Sequence, residues 1–126
     1  MNRTDYFERK LDDKRRLSMP SDIRKEFVSG VVITRGFGKY LHLYPKSMWE
    51  RDVEKFADKI TWDDSSAADK IARFRIGKSA AELDEKQGRV TFEKQQLDYA
   101  GISHEIVAVR IGDYWRVMNP EVANAL

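Results

Sequence analysis

Lys14, Arg15 and Arg16 stand consecutively between two apolar runs, and Asp12 lies four residues before Arg16. Cations on a turn between strands can reach phosphate oxygens, and an arginine fork can also span the edge of a guanine. A carboxylate at that spacing has two compatible uses. It can close the turn as an ion pair, or it can hold the arginine in the orientation that a phosphate or base requires. The same spacing recurs at Glu85 and Arg89, with Lys86 between them. An exposed ion pair contributes only about 0–1 kcal/mol, so its recurrence points to a purpose beyond stability. A solvated turn without a partner is the plain alternative for a single basic triplet.

The recurrence extends along the chain. Leu11-Asp12-Asp13-Lys14-Arg15-Arg16-Leu17-Ser18-Met19 is echoed by Leu83-Asp84-Glu85-Lys86-Gln87-Gly88-Arg89-Val90-Thr91-Phe92. Val32-Ile33-Thr34-Arg35 is answered by Val107-Ala108-Val109-Arg110, and Gly38 to Tyr44 by Gly112 to Met118. A duplicated unit with a basic turn in each copy suggests a repeated binding surface rather than one catalytic cleft.

Other chemistries find little support. The chain has no cysteine, so disulfides and thiolate metal sites are excluded. His42 and His104 are far apart in sequence, and His42 on an alternating strand reads as packed or half exposed. Asp63 and Asp64 read as the N-terminus of a helix rather than as metal ligands. Trp49 and Trp115 fall on apolar faces and read as core, with Trp62 less determined. No Gly-rich phosphate loop, nucleophile elbow or zinc motif is present. The expectation is a non-enzymatic protein without metal, cofactor or small-molecule ligand.

The elements that must hold the turns follow from pattern. Extended runs are predicted around 7–11, 17–19, 31–34 and 40–44, and again before the second turn, at 90–92, 106–111 and 114–118. Ile23 and Phe27 share a face of a short helix after Pro20, with Ser21 or Asp22 as cap. Trp49, Val53, Phe56 and Ile60 repeat at helical spacing behind Ser47. Ala67, Ile71 and Phe74 line a second helix capped by Ser66, and Leu97 marks a third. The chain of 126 residues is one domain or two small fused units, 1–60 with its following helix and 61–126 with a linking helix. Units of about 50 residues bury too little surface to be stable alone, so the halves are expected to share a core. Net charge is only +2 although 35% of residues are charged. Any nucleic-acid surface must therefore come from local clustering. No apolar stretch approaches the roughly 20 residues of a membrane span and no signal segment is seen, so a cytoplasmic location is expected.

These motifs together resemble the MraZ family of bacterial transcriptional regulators. The family pattern is an aspartate, two variable positions, Gly-Arg-Leu, a short extended run and a proline. It is matched here by Asp12 to Pro20 with Arg24 following. Leu43-Tyr44-Pro45, Trp49-Glu50, Arg73-Phe74, Leu83 to Arg89 and Tyr99-Ala100-Gly101-Ile102 match in order along nearly the whole chain. The resemblance implies a β-rich α+β fold of tandem AbrB-like swapped-hairpin (double-psi-like) barrel halves with short helices between them. It also implies a homo-oligomeric ring on repeated promoter DNA upstream of the division and cell-wall gene cluster, hence a nucleoid-associated regulator. Lys14, Arg15, Arg16, Lys86 and Arg89 are the expected DNA-binding residues, with Asp12 and Glu85 as orienting acids.

Three departures from the pattern matter. Arg15 replaces the usual glycine. In the second copy either glutamate replaces aspartate or the turn has gained a residue, since Asp84 stands one position too early. Glu93 replaces the usual proline, and Arg24 has no counterpart near Leu97. The second turn is therefore expected to bind DNA less well or to serve structure. A sequence-independent nucleoid assembly protein and an AbrB-type antitoxin are the alternative readings.

Overall fold

The computed structural model describes residues 4–84 and 86–126. The first half contributes β1 (Tyr6–Lys10), β2 (Arg16–Ser18), a 3-10 turn (Arg24–Phe27), β3 (Val31–Arg35) and β4 (Leu41–Pro45). A helical segment follows: α1 (Lys46–Met48), a π-helical stretch (Trp49–Glu54), α2 (Lys55–Asp58) and α3 (Ser65–Arg75). The second half contributes β5 (Ser79–Ala81), β6 (Arg89–Thr91), α4 (Lys94–Ala100), β7 (Glu105–Ile111), β8 (Tyr114–Met118) and α5 (Pro120–Asn124).

The strands form a six-stranded antiparallel sheet in the order β1-β7-β8-β4-β3-β5 and a separate two-stranded ribbon of β2 with β6. Exchanging the halves leaves this arrangement unchanged. β1 crosses to β7 as β5 crosses to β3, while β4 pairs with β8 and β2 with β6. The registers obey the same exchange. Leu41 faces Val117 and Leu43 faces Trp115, with His42 opposite Arg116 at the centre. Each edge strand of one half is thus hydrogen-bonded to an inner strand of the other.

The core follows the same interleaving. Leu17, Met19, Phe27 and Leu43 pack in one buried cluster with Val90, Phe92, Ile106 and Trp115. On the ribbon, period-two alternation sends Leu17 and Val90 into that cluster and leaves Arg16, Ser18, Arg89 and Thr91 on the other face. A smaller cluster of Val32, Tyr44 and Trp49, joined by Met48, Val53, Phe74 and Tyr114, fastens the helical segment to the sheet.

Helix details depart from the sequence pattern. Behind Ser47, Trp49 is buried but Phe56 is half exposed. The π-helical stretch widens the turn, so a seven-residue step no longer returns to the same face. Trp49 Nε1 donates to Glu54 Oε1 at 2.8 Å across that widened turn. The cap of α3 is Asp64, which accepts from the Ala67 amide at 3.1 Å, and not Ser66, which lies within the helix. After Pro20 there is only the 3-10 turn, which no side chain caps. Asp22 instead accepts the Thr4 hydroxyl.

Candidate nucleic-acid interface

The first turn is built around the Asp12 carboxylate. Its Oδ1 accepts the backbone amides of Lys14 and Arg16, each at 2.9 Å, and its Oδ2 accepts Arg16 Nε at 2.7 Å. The Asp12 amide also donates to the Arg16 carbonyl, closing the loop. Desolvation pushes the Asp12 pKa up, but the hydrogen bonds from Arg16 and Lys14 outweigh it and hold the carboxyl below its usual value. The Arg16 side chain is 28% exposed, so Asp12 fixes the Nε edge of the fork while the group still reaches solvent.

In the second turn the acid is Asp84. Its Oδ1 accepts the Lys86 amide at 3.0 Å, and its Oδ2 accepts Arg89 Nε at 3.3 Å and Nη2 at 3.2 Å. The Lys86 amide, foremost, and the Arg89 side chain lower the Asp84 pKa against opposing desolvation. Asp84 and Arg89 are separated by five positions where Asp12 and Arg16 are separated by four. The turn has therefore gained a residue and kept its aspartate. Glu85, the expected orienting acid, lies outside the described residues, and the described partner of Arg89 is Asp84.

The ribbon brings the turns together. Arg16 is opposite Thr91 and Arg89 is opposite Ser18, so the arginines lie diagonally on its outward face. Lys14 and Lys86 are exposed beside them. Arg15, also exposed, takes a left-handed conformation with φ of 60°, matched by Gly88 at 61°. At these two positions each turn hands its carbonyl to the other half. The Phe92 amide donates to Arg15 at 2.9 Å, and the Met19 amide donates to Gly88 at 2.9 Å.

Arg24 belongs to the family pattern in the sequence but was left out of the expected DNA-binding residues. Arg24 reaches from the 3-10 turn to donate Nε to the Met19 carbonyl at 2.9 Å. Its guanidinium lies against Gly88, where a side chain would collide with it. Arg15 Nε makes the matching bond to the Phe92 carbonyl at 3.2 Å. The absence of an arginine near Leu97 was the available signal, but only the fold reveals that Arg15 stands in for it.

The remaining candidates lie elsewhere. His42 is buried among aromatic rings, with Nδ1 2.8 Å from the Tyr44 hydroxyl. Trp49 and Trp115 are core, whereas Trp62 is 98% exposed. Among the described residues, no group of three or more His, Asp or Glu is placed to hold a metal ion. No described helix is long and apolar enough to cross a membrane.

Comparison with known proteins fits this arrangement. A family model described as "MraZ protein, putative antitoxin-like" matches residues 5–71. A relative from Thermomicrobium roseum named transcriptional regulator MraZ is 30% identical, covering 91% of this chain and 80% of its own. One of the same name from Corynebacterium kroppenstedtii is 31% identical over 94% of this chain and 81% of its own. Another, from Salinispora arenicola, is 35% identical over 86% and 73% respectively. With that extent of match in both sequence and family model, the chain belongs to the MraZ family.

Proposed function

We propose that this protein is a sequence-specific, double-stranded-DNA-binding transcriptional regulator that works without enzymatic activity. The observation that carries the reading is the outward face of the β2–β6 ribbon, where Arg16 and Arg89 are each held by an aspartate and flanked by Lys14, Arg15 and Lys86. A two-stranded ribbon fits the width of a DNA major groove, and an oriented arginine fork can address a guanine there. The neighbouring cations supply phosphate contacts, hence affinity and salt dependence. The relatives named transcriptional regulator MraZ support the same role.

In this reading the halves 1–60 and 61–126 form one swapped-hairpin unit, because each supplies the edge strand that the other needs. One such unit has few cations. A homo-oligomeric ring would present the ribbon repeatedly, and each contact would raise the effective concentration for the next. Repeated sites in the promoter of the division and cell-wall cluster would match such a ring, in the cytoplasm at the nucleoid.

The test is binding to the fragment upstream of the protein's own gene against a scrambled fragment, over a salt series. Tight binding at physiological salt on the native fragment alone is expected. Equal binding that fades together with salt would replace the reading with a sequence-independent nucleoid protein. Absence of binding at low salt would leave the turns as solvated surface.

A further inference from the structure

We infer that Arg24 is a DNA-contacting residue of the second turn, supplying in trans from the 3-10 turn the guanidinium that Arg15 supplies in cis to the first. The inference rests on the DNA-binding reading above and extends it to a residue outside both basic turns.

The geometry is an exchange between two pairs of positions. β2 and β6 pair with Arg16 equivalent to Arg89, which makes Arg15 equivalent to Gly88 and Met19 equivalent to Phe92. Continuing along each chain segment, Arg24 is equivalent to Leu97. In one arrangement a glycine lies beneath an arginine: Gly88 is bare, and Arg24 covers it while donating to the Met19 carbonyl. In the other, an arginine occupies the turn: Arg15 donates to the equivalent carbonyl of Phe92, and buried Leu97 holds the position of Arg24. The two guanidinium groups are thus anchored by the same atom, Nε, to equivalent carbonyls at the ends of the two ribbon strands.

Anchoring through Nε leaves the terminal nitrogens for a ligand. Among the described residues, neither Arg15 nor Arg24 uses Nη1 or Nη2 in a hydrogen bond, and neither forms an ion pair with an acid. Arg24, Lys25 and Lys86 line an open groove beside the second turn, together with Glu82 and Asp84. Of the two acids, Asp84 is already engaged by Arg89. Purely structural anchoring does not require a full charge, because a neutral donor can also satisfy the Met19 carbonyl, though less strongly. A pre-anchored guanidinium with two spare donors suits a phosphate oxygen, since part of the ordering entropy is already lost before binding. The consequence is that both turns present an acid-held arginine and a carbonyl-held arginine, so the second turn is equipped to bind rather than relegated to structure.

The test uses the full chain and the duplex upstream of its gene, with the scrambled duplex as control, and measures affinity against salt together with thermal unfolding. Arg24→Leu copies the residue at the equivalent position of the other half. It is expected to weaken binding by about tenfold and to lower the salt slope by about one. Adding Gly88→Arg to it rebuilds the first-turn arrangement on the second turn and should recover most of the lost affinity. Arg24→Gln, which keeps a donor for the Met19 carbonyl without the charge, carries the test if Arg24→Leu fails to fold, and should lose the same salt slope. Wild-type binding by folded Arg24→Leu or Arg24→Gln would overturn the inference, as would failure of a folded double variant to recover. Failure of the wild-type protein itself to bind any duplex would instead defeat the DNA-binding reading.

Discussion

Glu26 of the first half grips Arg110 of the second through two hydrogen bonds of 2.6 and 2.8 Å. Arg110 is on β7 and its side chain is only 5% exposed. It also donates to the Thr4 carbonyl and lies 4.6 Å over the Trp115 ring. Glu26 foremost holds the Arg110 pKa above its ordinary value, so the guanidinium is charged at any accessible pH. The equivalent place in the other half contains Arg35 over the Tyr99 ring at 4.8 Å. One half thus ties the short helical segment to the crossing strand by an ion pair, the other by a cation on a ring. Removing the acid leaves a buried cation with the Thr4 carbonyl, the Trp115 ring and only the exposed Asp5 carboxylate, whose Oδ1 is 3.7 Å from Arg110 Nε. Glu26→Ala should therefore lower unfolding free energy by about 3 kcal/mol or more, measured by urea denaturation. A loss under about 1 kcal/mol would show that the pair is a surface contact in energetic terms.

Arg16 offers the opposite combination. Its ion pair with Asp12 is about a third exposed on both sides, where such pairs contribute roughly 0–1 kcal/mol. Arg16→Ala should keep its fold and unfolding midpoint nearly unchanged while affinity for the native promoter falls by about 1–3 kcal/mol, the range of a base-reading arginine. Its discrimination against the scrambled duplex should fall too. Unchanged affinity, measured by titration at fixed salt, would remove Arg16 from the interface.

Local order was largely legible in the chain. The alternating runs became strands, the repeated acid-turn-arginine blocks became the two turns, and Trp49 and Trp115 entered the core as their apolar settings implied. What escaped depends on partners distant in sequence. No pattern within residues 5–10 announces that β1 pairs with β7 and not with its own half. Asp84 was distinguishable from Glu85 only once the ribbon register fixed where Arg89 begins. The exchange between Arg15 and Arg24 spans both halves, so each arginine viewed in its own segment looks like an isolated departure. Gly36 and Gly38 lie in the connection between β3 and β4, yet neither adopts a positive φ. Both leave room for the Tyr40 ring, and their carbonyls accept the Tyr99 hydroxyl, each at 3.0 Å.

Arg15 separates stability from binding. A non-glycine residue in the left-handed region costs about 1–2 kcal/mol, and φ at Arg15 is 60°. Against that stand the Nε bond to the Phe92 carbonyl and the extra chain entropy that a glycine brings to the unfolded state. Arg15→Gly should leave stability unchanged or raise it by up to about 1 kcal/mol, and should weaken DNA binding with a salt slope lower by about one. Opposite signs from denaturation and from binding titrations would identify the strain as retained for contact with the ligand. A variant that is less stable but binds as before would make Arg15 a fastener between the halves.

His42 gives the fold a defined response to acid. It is 2% exposed, it sits opposite Arg116 across the β4–β8 pair, and Tyr40, Tyr44, Phe74 and Tyr114 pack around its ring. Burial, with the nearby Arg116 charge adding to it, lowers its pKa from 6.5 to about 4. Above pH 6.5 the imidazole is neutral whether the chain is folded or unfolded, and its contribution to stability is fully present. As pH falls below 6.5 the unfolded chain takes up a proton that the folded chain refuses, so stability drops. The decline ends near pH 4, where the folded imidazole also titrates, after a loss of about 3 kcal/mol. Carboxylates titrate in the same window, so the wild-type curve must be compared with that of His42→Gln, in which this proton is missing. The stability difference between the two proteins should be largest at pH 7 and shrink towards pH 4, as read by urea unfolding at half-unit steps. A difference constant across that range would mean that water or a shifted ring lets the imidazole charge within the fold.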